Sequence, residues 1–343
     1  MKIEKKVFAT LEKGYTVKPF YLGETLVLGY GPEIAGEIRL YLPDQDRTVT
    51  ISDGPGGMMS LHPYGSGEAP FNLISIMGLL PPFIGQDAAI YHHSSSSGLD
   101  GEWQIEKVLD LPFAHRVEVL HRNSEDWFVA ASVAKHKDNP EDWSQPGAVY
   151  VGGFPRPESD EWEMKPIKEG ITRNHGMTKT VYNGEETLFF SGQEGLFRLD
   201  VNSAGQWISS LVIETEVSEV GVADFDGDGR DEIVTIEPFH GNKLRVYKQD
   251  GTQWNKIFET ELSFGHGLWV GTFQQQPTIF VGSRSDDMSL MQFRFDPEKS
   301  GFHKTVIEEN VGPTQIDVFT NKGIDYMVSS NQNAGEMAIY TIS

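Results

Sequence analysis

The apolar residues of this chain fall in short runs between polar turns, and nowhere in a helical stripe. Runs of about four to eight apolar or alternating residues bounded by turn signals read as β-strands. Residues 220–262, VGVADFDGDGRDEIVTIEPFHGNKLRVYKQDGTQWNKIFETEL, show the pattern in full. An inner strand starts at Gly221, and a polar turn leads to a mainly apolar strand, EIVTI. A third strand ends in an aromatic (LRVY), and after a Gly turn comes an alternating strand, WNKIFETEL. Four strands per unit is the grammar of a propeller blade. Residues 266–310 repeat it with GHGLWVG, PTIFVGSR, LMQFRF and FHKTVIEEN. Residues 175–217 do so with ETLFFSG, GLFRLDV and WISSLVIETEV.

The last unit, from Val311, has VGPTQIDVF, IDYMVSSNQ and EMAIYTIS, and then lacks a fourth strand. Residues 5–12, KKVFATLE, read like the fourth strands of other units and precede a Gly-led inner strand at Gly14. The N-terminal strand is therefore expected to complete the last blade, which hides the sheet edges of an open ring. Three earlier units fit less cleanly. The resulting expectation is a single all-β domain, a seven-bladed β-propeller. Its blades span approximately 14–56, 57–113, 114–173, 174–218, 219–264, 265–310, and 311–343 with 1–13. The second and third blades carry Pro-, Gly- and Ser-rich insertions such as LLPPFIGQD and KHKDNPEDWSQPG, placed where ligand contacts concentrate on rigid scaffolds. A parallel α/β fold would need amphipathic helices between the strands, and none is found.

Composition narrows the function. With 28 Lys and Arg against 50 Asp and Glu, the formal charge is −22. That disfavours a nucleic-acid partner and leaves carboxylates for cations. The absence of cysteine excludes disulfides and thiolate metal sites. No apolar run has membrane-spanning length and residues 1–13 hold no signal-peptide core, so a cytoplasmic protein without a membrane partner is expected.

Residues 224–232, DFDGDGRDE, place oxygen donors at Asp224, Asp226, Asp228 and Glu232, with Gly229 for a sharp turn and the carbonyl of Arg230 as a further donor. This spacing wraps carboxylates around a hard cation, Ca2+ or Mg2+. GVADFDGDGRDEIV resembles the FG-GAP or VCBS repeat of integrin-type propellers. RNHGM, FGHGLWVG with VGSR, and VGPTQIDVF resemble more specifically the bacterial and fungal FG-GAP proteins related to aldos-2-ulose dehydratase. The resemblance covers about residues 174–343. It implies a propeller enzyme that eliminates water from keto-sugars with the help of bound metal.

Aligned on their inner strands, three units begin with a histidine: His115, His175 and His266. Residues at one repeat position share one height around the axis, so the three imidazoles should converge near one mouth. Convergent neutral imidazoles suit a second divalent metal such as Zn2+ or Mn2+. WD-repeat propellers keep a histidine near this place for packing and hydrogen bonding, but that network needs its partner residues and the WD dipeptide is absent here. For a carbohydrate lyase or dehydratase acting by β-elimination on a keto-sugar or uronic-acid-type substrate, a small sugar or oligosaccharide, His240 is the candidate base and Arg284 the candidate anchor. Arg116, Gln193, Trp269 and Asn331 are candidate substrate contacts. The competing expectation is a non-catalytic propeller, stabilised by the Asp-loop cation, that binds a carbohydrate or protein partner.

Overall fold

The computed structural model describes residues 2–122, 124–155, 161–182, 185–299 and 301–343. Among the described residues, twenty-nine strands form seven antiparallel sheets. The first strands of the sheets are Gly14–Leu22, Ser60–Tyr64, Ala114–Arg122, Met177–Tyr182, Glu219–Ala223, Gly265–Phe273 and Pro313–Asn321. Each packs against the next and the last against the first, which closes a ring around a central axis. The fold is the seven-bladed β-propeller that the strand pattern implies.

Ring closure uses the N-terminus. Ile3–Thr10 pairs antiparallel with Glu336–Ile342, in a register that sets Ile3 opposite Ile342 and Thr10 opposite Glu336. From this strand Phe8 stacks on Tyr41 at 4.5 Å and meets Tyr30 edge-on at 5.5 Å, so the closing strand also grips blade one.

Packing explains why second strands are continuously apolar while outer strands alternate. Each blade is covered on both faces by its neighbours, and successive residues of a strand point to opposite faces. In blade two, Leu73 and Met77 pack towards blade one, while Ile74 and Ile76 pack towards blade three. In blade three, Phe128 and Ala130 face blade two, and Val129 and Ala131 face blade four. Outer strands have one solvated face, as in Gln253–Glu261, where exposed residues outnumber half-buried ones.

Blade three departs from the simple pattern. The insertion of blade three begins with a short extra strand, Ala134–His136, which pairs with the start of Gln145–Gly153. The intervening turn carries Trp143 to the mouth of the axis. Among the described residues no helix is long and apolar enough to cross a membrane.

Candidate metal centre and funnel

Four inner strands break register at their first residues. The irregularities fall between Gly14 and Thr16, Ala114 and Arg116, Gly265 and Leu268, and Pro313 and Gln315. A bulge re-aims a side chain, and here it turns the residue at that repeat position towards the axis. Tyr15, His115, His266 and Thr314 occupy the position in blades one, three, six and seven. His175 stands just before Met177–Tyr182 in blade four. Its neighbour Gly176 is required by close approach, since a Cβ there would lie 2.5 Å from Ser218 O.

These side chains meet. Tyr15 Oη lies 3.1 Å from His115 Nε2 and 3.5 Å from Nε2 of both His175 and His266. His240, from the loop after Glu232–Glu237, completes the group with its Nε2 3.2 Å from His175 Nε2. Its backbone N–H donates to Ser218 Oγ, and its ring stacks on Phe239 with centroids 4.0 Å apart. Ligand nitrogens of His175, His240 and His266 all lie within 4.8 Å of one another. The tightest trio thus includes His240, expected to stand apart as a base, in the place expected for His115.

The hydrogen bonds fix one tautomer and leave one lone pair pointing inward. Burial pushes His115, His240 and His266 well below the usual imidazole range and lowers His175, so all four rings are neutral. His266 Nδ1 donates to the Thr314 carbonyl at 2.8 Å, which leaves Nε2 unprotonated. His175 Nδ1 lies 2.6 Å from Glu219 Oε1 but off the line of a hydrogen bond, so the carboxylate favours a proton on Nδ1 without fixing it there. Arg116 braces this carboxylate at 3.0 Å and donates to the His175 carbonyl at 3.0 Å. Burial raises the Tyr15 phenol to about 12, so it keeps its proton, and that one hydrogen can serve only one of three imidazoles. Nearby, His115 Nδ1 and both side-chain polar atoms of Asn174 are buried without a partner. Two nitrogens bound at about 2.0–2.1 Å to a tetrahedral ion lie about 3.3 Å apart. The donor set and the His175–His240 spacing fit a divalent transition metal.

The cluster floors a funnel of about 590 Å³, walled by side chains that include Glu33, Trp143, Arg173, Phe264 and Arg284. A second axial cavity, about 300 Å³, opens on the other side of the cluster. Trp269 and Arg116 line that second cavity, and Trp269 also packs on Phe280. Gln193 is exposed on a turn of blade four outside the funnel lining. Asn331 is fully buried and donates to Tyr340 Oη at 2.7 Å, because the end of its strand turns inward between blades six and seven. Of the expected substrate contacts and anchor, only Arg284 lines the funnel. Tyr15 and Glu33 were missed. Gly14-Tyr15 holds the repeat position of Gly265-His266, so aligning the first unit with the later ones would have found Tyr15.

The acidic loop of blade five is arranged differently. Asp224 accepts from the backbone N–H groups of Gly227 and Gly229 at 2.7 and 2.9 Å. Asp228 Oδ1 accepts from the N–H of Arg230, and buried Glu232 accepts from Phe225 N–H at 2.9 Å. Asp224, Asp226 and Glu232 converge within 4.8 Å. The ammonium of Lys248, from the neighbouring strand Lys243–Asp250, contacts Asp226, Asp228 and Glu232, the last two at 2.9 and 3.0 Å. The donors that would face a hard cation already face an internal one.

Fold and site together define a seven-bladed β-propeller with a histidine-floored funnel and one acidic loop of the FG-GAP type. The FG-GAP repeat matches residues 217–252, which hold that loop and the first three strands of blade five. No curated protein gives a match. Among solved structures, the Cps50 (Swd1) β-propeller domain of Myceliophteria thermophila is similar with a TM-score of 0.62 at 10% identity, covering 99% of this chain and 100% of that one. A putative 6-phosphogluconolactonase from Bacteroides fragilis is similar with a TM-score of 0.59 at 9% identity, covering 96% and 90%. Saccharomyces cerevisiae Sqt1 follows at 0.59 and 10%, covering 94% and 83%. At such identities the likeness is one of fold.

Proposed function

We propose that the protein is a metal-dependent carbohydrate lyase or dehydratase whose chemistry takes place on the funnel floor. The observation that carries this reading is the convergence of three neutral imidazoles, His175, His240 and His266, at the base of a cavity large enough for a sugar. When bound, a divalent metal would supply Lewis acidity to a carbonyl or carboxylate oxygen of the substrate. The remaining roles belong to the chain. Arg284 holds and orients the substrate from the wall. Tyr15 and His115, hydrogen-bonded at 3.1 Å, form the pair that handles the proton of the acidic C–H. Glu219 holds the His175 ring in its orientation, and Arg116 holds Glu219. The similarity of RNHGM, FGHGLWVG and VGPTQIDVF to the aldos-2-ulose dehydratase-related proteins favours elimination over other reactions of sugars. The acidic loop of blade five has a structural role in this reading.

The test is a paired measurement. Purified protein is assayed for bound metals by elemental analysis, then incubated with keto-sugars and uronic-acid sugars while the ultraviolet absorbance of a conjugated product is followed. The reading expects a stoichiometric transition metal and product formation, both abolished in His175→Ala. A protein that holds no transition metal, or a His175→Ala variant that keeps it in full, contradicts the reading and favours a non-catalytic propeller.

A further inference from the structure

The cations on the two sides of the histidine cluster are handled differently. In the axial cavity below it, Lys18 is paired with Asp317 at 3.0 Å and Arg116 with Glu219 at 3.0 Å. In the funnel above it, three cations line the wall: Lys137, Arg173 and Arg284. Arg284 gives one Nη to the Gln332 side chain and lies against the Phe264 ring. Lys137 Nζ reaches a backbone carbonyl, that of Pro140, and sits 3.6 Å from the Trp143 ring centroid. Among the described residues neither Lys137 nor Arg284 has a carboxylate at ion-pair distance. Arg173 is paired with Glu216 at 2.9 Å, but its Nε is buried without a partner.

This arrangement runs against the composition. The chain carries 28 basic residues against 50 acidic ones, yet the funnel wall holds three cations against two carboxylates, Glu33 and Glu141. An ammonium or guanidinium left without a counter-ion in a concave, partly desolvated site is costly unless a ligand supplies the anion. The cations also sit in two places. Arg284 lies 5.9 Å from the centroid of Phe264, whose ring meets that of His240 at 4.8 Å, so it stands beside the floor. Lys137 and Arg173 flank Trp143, with the Arg173 guanidinium 5.2 Å from its centroid and 5.5 Å from that of Phe239. Trp143 in turn meets Phe239 at 5.8 Å, and Phe239 stacks on His240. The wall therefore offers a charged place at the floor and a second, joined to the first by an aromatic face.

We propose that the funnel takes an acidic oligosaccharide, with the carboxylate of one sugar unit on Arg284 beside the histidine floor and that of the next unit on the Lys137–Arg173 pair against Trp143. The proposal rests on reading the funnel as the substrate site, but not on a metal being present there. An uncharged keto-sugar would leave both cationic places unanswered. Carboxylates are planar acceptors that a guanidinium binds through two N–H groups at once, which suits Arg284 better than a lone sugar hydroxyl does.

Calorimetric titration of the intact protein tests this with galacturonate, its α-1,4-linked dimer, the methyl ester of that dimer, maltose and glucose 6-phosphate. The free acid dimer is expected to bind more tightly than its ester or maltose by about tenfold or more, the usual effect of one charge-assisted hydrogen bond. Arg284→Gln should weaken monomer and dimer alike by about tenfold, and Arg284→Lys should recover part of the loss. Lys137→Met should bring the dimer down towards the affinity of the monomer and leave the monomer unchanged. Equal binding of acid and ester, preference for the sugar phosphate, no binding of any acid, or an indifferent Arg284→Gln would overturn the proposal. Equal loss for monomer and dimer in Lys137→Met would remove the second place. Metal content measured on the same samples separates the two readings. Acid-selective binding without a transition metal sinks the lyase and leaves this proposal standing, and a bound metal without acid selectivity does the reverse.

Discussion

The funnel floor and the blade-five loop both gather metal-ligand side chains, and they satisfy them in opposite ways. In the loop, carboxylates accept from backbone N–H groups of the same turn and from Lys248. On the floor, imidazoles from separate blades meet one another through Nε2, with a single phenol hydrogen among several of them. The loop is a contiguous run of nine residues, 224–232. The floor draws on residues from Tyr15 to His266 and exists only once the ring is closed. Spacing along the chain thus reveals a shape suited to a cation, whereas the need for one depends on what else reaches the donors.

The largest expected effect separates the two directly. His175→Ala and His266→Ala should each lose nearly all bound transition metal, while Asp226→Ala combined with Asp228→Ala should keep it. Elemental analysis of the three proteins decides the matter, and equal metal in all of them would erase the contrast. Next in size, Tyr15→Phe should retain the metal but slow turnover by about a hundredfold or more, the usual range for a lost proton-transfer group. If metal and turnover fall together, Tyr15 serves the cluster's structure and not its proton.

Lys248→Met should act on the other side of the comparison. Without the ammonium, Asp226, Asp228 and Glu232 face one another unscreened, so the variant should melt several degrees lower in chelator. Added Ca2+ should restore it by binding the native state alone. Wild-type protein should show a smaller calcium response. A wild-type melting temperature that rises with Ca2+ as much as the variant's would mean that Lys248 yields its place to the ion.

The smallest expected effect is a difference in pH dependence. The cluster histidines are neutral in the native state, and burial holds His93 down to about 3. Unfolding lets these rings take up protons once the pH drops below about 6.5, so their share of stability is present above that value and is lost as pH falls. Asp228 has the opposite chemistry. Its hydrogen bond from Lys248 lowers its carboxyl below the ordinary 3.8, so its contribution persists until the pH falls through that range. Between about pH 6.5 and 4.5 the melting temperature should fall through the histidines, offset in part by Glu232, whose carboxyl burial raises above its usual value. A His240→Gln variant should flatten that slope, and Asp228→Asn should leave it unchanged.

The architecture was legible in the sequence because each blade obeys local rules: a Gly-led start, an apolar second strand covered on both faces, and an alternating outer strand. The N-terminal closure was legible because residues 5–12 resemble the outer strands of other units. The three inner-strand histidines were legible by repeat position. The place of His240 in the tight trio was not, because it depends on how far the loop after Glu237 reaches across the axis. Asn331 looked available in the sequence, but its side chain turns into the core to bond Tyr340. Lys248 drew no attention because it lies 16 residues beyond Glu232, and only the pairing of Glu232–Glu237 with Lys243–Asp250 brings it over the acidic loop.

The most direct test of the contrast between floor and loop is anomalous diffraction from crystals of the protein as purified, with data on both sides of the zinc and manganese absorption edges. The account predicts one strong peak within bonding distance of Nε2 of His175, His240 and His266, and none of comparable height between Asp224, Asp226 and Glu232. A floor without a peak, with the imidazoles bonded only to one another and to Tyr15, would contradict it.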